Sequence, residues 1–441
     1  MENAIPVTKV TDRQWSQGEA LRRHMRQYAT ETTTHGVAQL MKEGSKIRVI
    51  IFALALLAGT TFLTLAFVEA LIGHSRGDSY MDIEVVQKEH LEIPSITMCS
   101  VSFYSRSAFE RSLPEVNVTE MEDFLRFIRF GSAYYPTDTS GFHARTFGNM
   151  TVRESYDRLM SNNLNETFLY CAVFNQLTNC SDMIDFQHTN MGKCFTVNAR
   201  QAVLDRGPLL ATYPDRTGGA SFIVDARPDD YLLVDEVMVG FYFLVHDVDE
   251  FPLMHGPLLF MGPGQVANVA VTKEVRKRLP PPYSEIQCVD DDTEVPYRAE
   301  NAEGFPYSQS ACFVDCKAQI VQSVCGCSEF TLHANLPECT IEQIFDCQRS
   351  ETYVEEVSKC SSQCWPLCNE VVYKPTITSA PFPNDVGVRL AQENSFEANT
   401  LSEMQRRLFK VNFYFEAIAE DRRPSCVNAY IIRVVKIYPV K

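Results

Sequence analysis

The sequence predicts an α+β membrane protein, with one N-terminal transmembrane helix followed by a large, disulfide-rich extracellular domain. Three observations predict this class. An uncharged apolar run, VIIFALALLAGTTFLTLAFV, occupies residues 49–68. All 15 cysteines lie beyond that run. The same region contains segments rich in Val, Ile, Phe and Tyr, which are typical of packed strands, and other segments of helical periodicity.

The apolar run has the length of a transmembrane helix. Twenty helical residues rise about 30 Å, the thickness of a bilayer's hydrocarbon core. A cleaved signal peptide, the alternative, would have an apolar region of only about 7–15 residues. Basic residues precede the run and acidic residues begin with Glu69, so the positive-inside rule places the N-terminus in the cytoplasm. We therefore predict a cytoplasmic segment at 1–47, a membrane helix at 48–72 and a plasma-membrane location.

The region after the helix has features of an extracellular domain. Cysteines persist as disulfides in oxidising compartments. Sequons at Asn117, Asn149, Asn165 and Asn179 are candidate glycosylation sites. The net charge of −16 would attract cations, although the same charge also keeps an extracellular domain soluble.

Two groups of cysteines share a four-residue spacing: Cys312 and Cys316, then Cys360, Cys364 and Cys368. Successive cross-links between antiparallel segments keep a constant sum of residue numbers. The pairs Cys312/Cys364 and Cys316/Cys360 share one sum, so they are predicted to be the rungs of a disulfide ladder. Apolar residues at helical spacing predict a helix in the first segment. Four more cysteines would close the far end: Cys325, Cys327, Cys339 and Cys347.

A zinc site is the alternative for such spacings, but an oxidising compartment favours disulfides, and no metal or other cofactor is expected. An enzyme is a second alternative. The sequence contains no nucleophile elbow, HExxH motif or phosphate-binding glycine loop, so we expect no enzymatic activity. We also expect no nucleic-acid partner.

Six short motifs complement the ladder: HG at 35–36, IPSITMCS at 93–100, MGKCFTVN at 191–198, LPPPYS at 279–284, YSQSACFVDC at 307–316 and CWPLCN at 364–369. Together with the span, they resemble the degenerin/epithelial sodium channel superfamily, which includes acid-sensing and peptide-gated channels. The resemblance runs from about residue 30 to about residue 419. It implies a subunit of an amiloride-sensitive-type sodium channel that forms homo- or hetero-trimers with related subunits.

The resemblance also implies a disulfide pattern and a hand-like ectodomain at 73–419. Its pairs reproduce the two rungs and add Cys99–Cys194, Cys171–Cys180, Cys288–Cys368, Cys325–Cys347 and Cys327–Cys339, leaving Cys426 unpaired. The implied parts are a finger (about 100–170), palm and β-ball strands (about 75–100, 190–280 and 405–419), a thumb (about 285–369) and a knuckle (about 370–405). Residues 236–246 and 408–418 would be palm strands, and residues 121–130 a finger helix.

The resemblance assigns roles near the membrane. His35 and Gly36 would line the cytoplasmic end of the pore, where glycine permits a sharp turn. Tyr283, after three prolines, would contact Tyr80 and couple the thumb to the first membrane helix. The alternative is that these are two separate surface tyrosines.

Two acidic runs are candidate sites for protons or calcium, because crowded carboxylates raise one another's pKa. They are Asp229 with Asp230, and Asp290, Asp291 and Asp292 with Glu294. Solvated surface charge is the alternative. The paired histidines of proton-gated relatives are absent, since Ser75 follows His74. A peptide or another small ligand is therefore favoured over a proton as the stimulus.

The last residues depart from the family, whose second membrane helix carries a Gly-x-Ser filter. Here the longest uncharged stretch after residue 419 is Pro424 to Ile432, less than half of a spanning helix. We expect 420–441 to be a divergent tail, from a frame change, an alternative exon or a truncated gene model. Such a form would not conduct sodium alone. It would act as a dominant-negative subunit or, alternatively, as a single-pass receptor.

Overall fold

The computed structural model describes most of the chain, in two units: Met1–Asp78 with Val427–Lys441, and Ser79–Cys426. The described residues are 17–31, 45–76, 79–81, 83–102, 104–122, 149–160, 163–232, 238–256, 258–279, 284, 287–290, 294–298, 304–328, 337–393 and 400–427.

The first unit contains two described helices, α1 (Gln17–Glu31) and α2 (Lys46–Ser75). Within α2, the segment Lys46–Gly73 is the one described helix that is long and apolar enough to cross a membrane. The hydroxyl groups of its threonines donate hydrogen bonds to backbone carbonyl oxygens of the same helix. Thr61 Oγ1, for example, donates to the carbonyl oxygen of Leu57 at 2.7 Å. A hydroxyl bonded this way can lie in an apolar helix without an unmet polar group.

The second unit contains a large sheet and a five-stranded sheet in its described part. Their strands are β1 (Ser79–Met81), β2 (Glu84–Gln87), β4 (Ser95–Ser100), β5 (Phe168–Val173), β6 (Gln176–Leu177), β7 (Ile184–Thr189), β8 (Gly192–Val197), β10 (Ala220–Asp225), β11 (Phe241–His246), β12 (Leu259–Met261), β13 (Gln265–Lys277), β14 (Asn369–Pro381) and β15 (Leu408–Val427); β3 (Leu91–Glu92) pairs separately with β9 (Leu210–Ala211).

The large sheet has the order β14-β13-β15-β10-β5-β6, with β1 and β2 also paired to β15, and the smaller sheet has the order β12-β11-β4-β8-β7. Strand β13 shows why these segments form strands. Ala267, Val269 and Val271 are buried at every second position, so one face of the strand packs inward. The two sheets share one core, where the rings of Phe243 from β11 and Phe409 from β15 lie 6.1 Å apart.

The α-helices in the described part of this unit are α3 (Arg106–Ser112), α4 (Val152–Leu159), α5 (Leu164–Thr167), α6 (Arg200–Arg206), α7 (Gln309–Ile320), α8 (Ile341–Gln348), α9 (Glu351–Gln363), α10 (Asp385–Glu393) and α11 (Leu401–Arg407). Side-chain caps start α7, α8 and α9. Ser308, Thr340 and Ser350 each accept a backbone N–H at the helix start.

Helices α7, α8 and α9 belong to a cysteine-rich lobe (residues 304–328 and 337–368). Its core consists largely of cystines packed with Val321, Ile344 and Tyr353. Helix α7 continues into a π-helical turn at Val321–Cys325, and α9 ends directly before Cys364 and Pro366. The cross-links therefore replace much of the apolar contact that a helical bundle of this size would need.

Two predicted segments differ from the observed elements. The strand expected at 408–418 extends to Val427, and β13 pairs with it in parallel as far as Lys277 opposite Pro424. Glu420, within the predicted tail, contacts Lys273 Nζ at 3.1 Å and Lys88 Nζ at 3.3 Å. Its ion pairs hold this part of the strand in the sheet. Of the predicted finger helix, residues 121–122 are helical and 123–130 lie outside the described residues.

Candidate functional site

An acidic site lies where the loop after β11 meets the start of α7 and of β14. It consists of Asp247, Asp249 and Glu250 from the loop and Glu370 from β14. These residues line a cavity of about 330 Å³ together with Tyr307 and other residues of the α7 N-terminus. Two separate segments of the chain therefore bring their carboxylates to one cavity, and the start of α7 completes its lining.

Glu250 joins the loop to the lobe. Its Oε1 accepts a hydrogen bond of 2.9 Å from the Ser310 hydroxyl, in the first turn of α7. Burial raises the pKa of Glu250 to about 7, and the nearby Glu370 and Asp247 carboxylates add to the increase. The Ser310 hydrogen bond opposes it. Glu250 thus changes its protonation state near neutral pH at a junction between sheet and lobe.

Asp247 is the second perturbed carboxyl in the acidic site. Burial raises its pKa, and the charge of Asp249 raises it further. Asp249 itself is exposed and pairs with Arg200 at 2.9 Å. Glu370 accepts a hydrogen bond of 2.6 Å from Arg278. Asp249 and Glu370 therefore have cationic partners, and protonation is favoured at Asp247 and Glu250.

A buried histidine precedes this loop. His246 Nε2 lies 2.9 Å from Thr97 Oγ1 of β4, and its Nδ1 lies 2.8 Å from the carbonyl oxygen of Asp247. Burial lowers the pKa of His246 to about 4. The imidazole is therefore neutral at physiological pH and fixes the start of the acidic loop against the five-stranded sheet.

The predicted pair Asp229 and Asp230 lies elsewhere, in a short 3₁₀ turn beside α3. Asp230 accepts hydrogen bonds from the Ser105 hydroxyl at 2.6 Å and the Ser107 N–H at 2.8 Å. Asp229 is exposed and pairs with Arg406 at 3.0 Å. These hydrogen bonds and this ion pair give the two carboxylates a structural role. Proton or calcium sensing at the pair stays a prediction.

The second predicted acidic run is only partly described. Asp290 and Glu294 are exposed, whereas Asp291 and Asp292 lie outside the described residues. Within the described parts of the chain, no group of three or more His, Cys, Asp or Glu residues is arranged to hold a metal ion. Calcium binding at this run therefore also stays a prediction.

The residues predicted near the membrane are largely outside the described part. His35, Gly36 and Tyr283 lie outside it, and Tyr80 belongs to β1. Contact between Tyr80 and Tyr283 stays a prediction. The four sequon asparagines, Asn117, Asn149, Asn165 and Asn179, are all exposed, as glycan acceptors must be.

The structure forms seven disulfides between the same residues as the resemblance implies: Cys99–Cys194, Cys171–Cys180, Cys288–Cys368, Cys312–Cys364, Cys316–Cys360, Cys325–Cys347 and Cys327–Cys339. The two rungs join α7 to the end of α9, with Cα–Cα distances of 5.6 Å and 6.0 Å. Residues four apart lie on one helical face, so both bonds can form between the same two segments. The ladder makes α7 and α9 a stiff pair.

Sequence reasoning missed the acidic site. The segment HDVDE at 246–250 contains three acids in four residues, which was the available signal. The proximity of Ser310 and Glu370, which are 60 and 120 residues away in sequence, had no such signal. The pKa of Glu250 depends on that proximity and on burial.

Comparison with known proteins places this architecture in a family. The sequence profile of the amiloride-sensitive sodium channel family matches residues 28–420. The chain belongs to that family. The resemblance to the degenerin/epithelial sodium channel superfamily is thereby confirmed.

Individual family members are distant relatives in sequence. The mouse (Mus musculus) bile acid-sensitive ion channel is 22% identical over 379 residues, covering 82% of this chain and 72% of that channel. Acid-sensing ion channel 2 of Danio rerio is 26% identical, covering 77% and 64%. The FMRFamide-activated amiloride-sensitive sodium channel of Cornu aspersum is 24% identical, covering 69% and 47%. These relatives are ion channels named for three different stimuli.

Proposed function

We propose that this chain is a subunit of a trimeric, ligand-gated sodium channel of the plasma membrane. The observation that carries the proposal is the match to the amiloride-sensitive sodium channel family across residues 28–420. Helix α2 supports a membrane location with residues 1–47 in the cytoplasm. The seven disulfides support an extracellular position for the second unit.

The proposed mechanism uses the cysteine-rich lobe as a rigid thumb. The ladder between α7 and α9 resists internal deformation, so a displacement at one end of the lobe is transmitted to the other. In this proposal Tyr283 and Tyr80 pass that displacement to the membrane helix. His35 and Gly36 line the inner end of the pore. The stimulus is an extracellular peptide, proton or other small molecule.

Protons are a second candidate stimulus, because of Glu250. A carboxyl that titrates near pH 7 gains a negative charge when the solution becomes alkaline. That charge would be repelled by Glu370 and Asp247 across the cavity. Acidification removes the repulsion and lets the loop approach β14, while it weakens the hydrogen bond that Ser310 of α7 donates to Glu250. The predicted sensors Asp229, Asp230, Asp290, Asp291, Asp292 and Glu294 would modulate the same response.

Recording from oocytes tests the proposal. The chain is expressed alone and together with Danio rerio acid-sensing ion channel 2, and amiloride-sensitive sodium current is measured during a step across pH 7. Oligomeric state at the surface is measured by chemical cross-linking. We expect surface trimers and a co-expressed current that this chain alters. The Glu250→Gln variant should alter its pH dependence without altering surface expression.

The same recording separates the alternatives. Current from the chain alone would contradict the prediction that these residues do not conduct by themselves. Suppression of the partner's current would identify a dominant-negative subunit. Failure to cross-link with the partner, together with unchanged current, would contradict the channel-subunit proposal and favour a single-pass receptor.

A further inference from the structure

One of the four sequons overlaps a disulfide. It consists of Asn179, Cys180 and Ser181, and its middle residue is bonded to Cys171 in the structure. The other three sequons contain no cysteine. Glycosylation and disulfide formation therefore act on the same short segment, and each reaction takes place in a segment that the other one changes.

The bridge from Cys171 to Cys180 is the shortest in sequence of the seven disulfides in the described part of the chain. Its cysteines are nine residues apart, with a Cα–Cα distance of 5.3 Å. They flank a hairpin, in which Leu177 of β6 pairs with Ala172 of β5. The ends of a free chain of this length meet within about 10–100 ns, and the entropy cost of closing so short a loop is low. The two thiols can therefore meet as soon as both have entered an oxidising compartment.

In the bridged chain the sequon is folded onto itself. Residues Cys180–Asp182 form a 3₁₀ turn, and Asn179 caps it by accepting a hydrogen bond of 3.4 Å from the Ser181 N–H. The middle residue is anchored as well, because Cys180 is only 9% exposed and belongs to the main core. A glycosyltransferase must bind the amide and the hydroxyl of a sequon together, in a segment that is free to open. Once the bridge has closed, this segment is no longer free to open.

A glycan attached before closure would be compatible with the fold. Asn179 is exposed, and its cap uses Oδ1 rather than Nδ2, the atom that carries a glycan. Its neighbour Leu177 is 76% exposed, on the strand at the end of the large sheet. Carbohydrate therefore has open space at this position. The order of the two reactions matters in one direction: closure first prevents glycosylation, whereas glycosylation first still permits closure.

We propose that closure of the Cys171–Cys180 bridge controls glycosylation of Asn179, so that chains oxidised early leave this sequon empty. Closure forms the Sγ–Sγ bond, and the two thiols pass two protons and two electrons to the disulfide of an oxidoreductase, which becomes a dithiol. Glycan transfer joins Asn179 Nδ2 to the first sugar of a lipid-linked donor; the amide loses a proton and the lipid pyrophosphate leaves. Only chains whose bridge closes late then carry carbohydrate over the end of the sheet.

The inference rests on one part of the proposed function, the extracellular position of the second unit. Glycan transfer and disulfide formation both take place in the compartment where such a unit folds. The inference does not require that the chain conduct ions or form trimers. Its test therefore needs no recording of current.

Cell-free synthesis of the full chain with microsomes tests the proposal, under oxidising conditions and with dithiothreitol. Peptide N-glycosidase converts each glycosylated Asn to Asp, and mass spectrometry then gives the occupancy of each sequon. We expect glycan on Asn179 in a minority of oxidised chains and in a majority of reduced ones. Asn165 is the internal control, because its sequon contains no cysteine, and its occupancy should be the same in both conditions. Occupancy is set during synthesis, so a chain that later fails to fold still gives a reading.

Three variants separate bridge closure from the other effects of reduction. Cys171→Ser removes the bridge and leaves the sequon unchanged, so under oxidising conditions it should raise Asn179 occupancy to the level of reduced wild type. Cys180→Ala removes the bridge together with the middle cysteine and should have the same effect. The matched control is Cys327→Ser combined with Cys339→Ser, which removes another short bridge that encloses no sequon. That variant should keep the Asn179 occupancy of oxidised wild type.

Three results would overturn the proposal. Full occupancy of Asn179 in oxidised wild type would show that closure does not exclude the glycan. Equal occupancy in wild type and Cys171→Ser would show that the bridge does not control the site. In both cases a glycan on Asn165 would still support the extracellular position, so only this inference would fail. A chain without glycan at any sequon would contradict the extracellular position and this inference together.

Discussion

The Glu250 carboxylate accepts a hydrogen bond of 2.9 Å from the Ser310 hydroxyl, joining the loop after β11 to the first turn of α7. The contact crosses the boundary between the five-stranded sheet and the cysteine-rich lobe. One partner titrates near neutral pH. The junction that would transmit motion in the proposed channel therefore contains a group that responds to pH.

Glu250→Gln should change how stability depends on pH. The carboxyl is protonated up to about pH 7 in the folded protein but only to its ordinary value of 4.5 when unfolded. Its contribution to folding is therefore complete below pH 4.5 and is lost as the pH rises to about 7. Above pH 7 the variant should have a higher melting temperature than wild type. Asp249→Asn is the control, and an identical shift in that variant would contradict the prediction.

His246→Asn should change how stability depends on pH at acid pH, in the sense opposite to Glu250→Gln. The unfolded imidazole takes up a proton near pH 6.5, whereas the folded one does so only near pH 4. Stability from this group is therefore lost as the pH falls from about 6.5 to about 4. The variant should lose about 1–3 kcal/mol at pH 7 through the broken Thr97 contact but show a flatter acid limb. Thermal melts of His246→Asn and of His255→Asn, an exposed control, measure both effects. An acid limb that is unchanged in His246→Asn would contradict the prediction.

Arg407→Met should be strongly destabilising, whereas its neighbour Arg406 should not. Arg407 donates two hydrogen bonds to Asp225, at 3.3 Å and 2.5 Å, and Asp225 is 3% exposed. Removing the cation leaves a buried charge, which typically costs about 3–5 kcal/mol. Arg406→Met breaks only the exposed pair with Asp229 and should cost less than about 1 kcal/mol. Urea unfolding compares the two variants, and equal losses would contradict this account.

Removing one ladder rung should destabilise the lobe more than removing the short distal bridge. Cys316 and Cys360 are 44 residues apart, whereas Cys327 and Cys339 are 12 apart. Loop-closure entropy assigns about 4 kcal/mol to the longer loop and about 3 kcal/mol to the shorter one, with less for nested loops. Paired Cys→Ser variants measured by calorimetry test the order. A larger loss from the 327/339 pair would contradict it.

Much of the covalent frame could be predicted from the sequence, because it depends on local spacing. The ladder follows from the four-residue repeats at Cys312 and Cys360, which place sulfurs on one face of each segment. The strand at residue 408 follows from its Val, Phe and Tyr content. Its end does not, since pairing of Lys277 with Pro424 depends on the neighbouring strand.

The apolar helix, the cysteine pairing and the family could be predicted without a structure, since composition, spacing and short motifs are properties of the chain alone. The identity of the carboxyl that titrates near neutral pH and the position of an apolar cavity depend instead on the folded arrangement. Glu250 acquires its raised pKa only when water is excluded and Glu370 is brought beside it, against the opposing hydrogen bond from Ser310. A cavity of about 600 Å³ between α7, α9 and the loops after β7 and β11 likewise exists only in the folded chain, because volume and dielectric environment arise from the packing of residues distant in sequence.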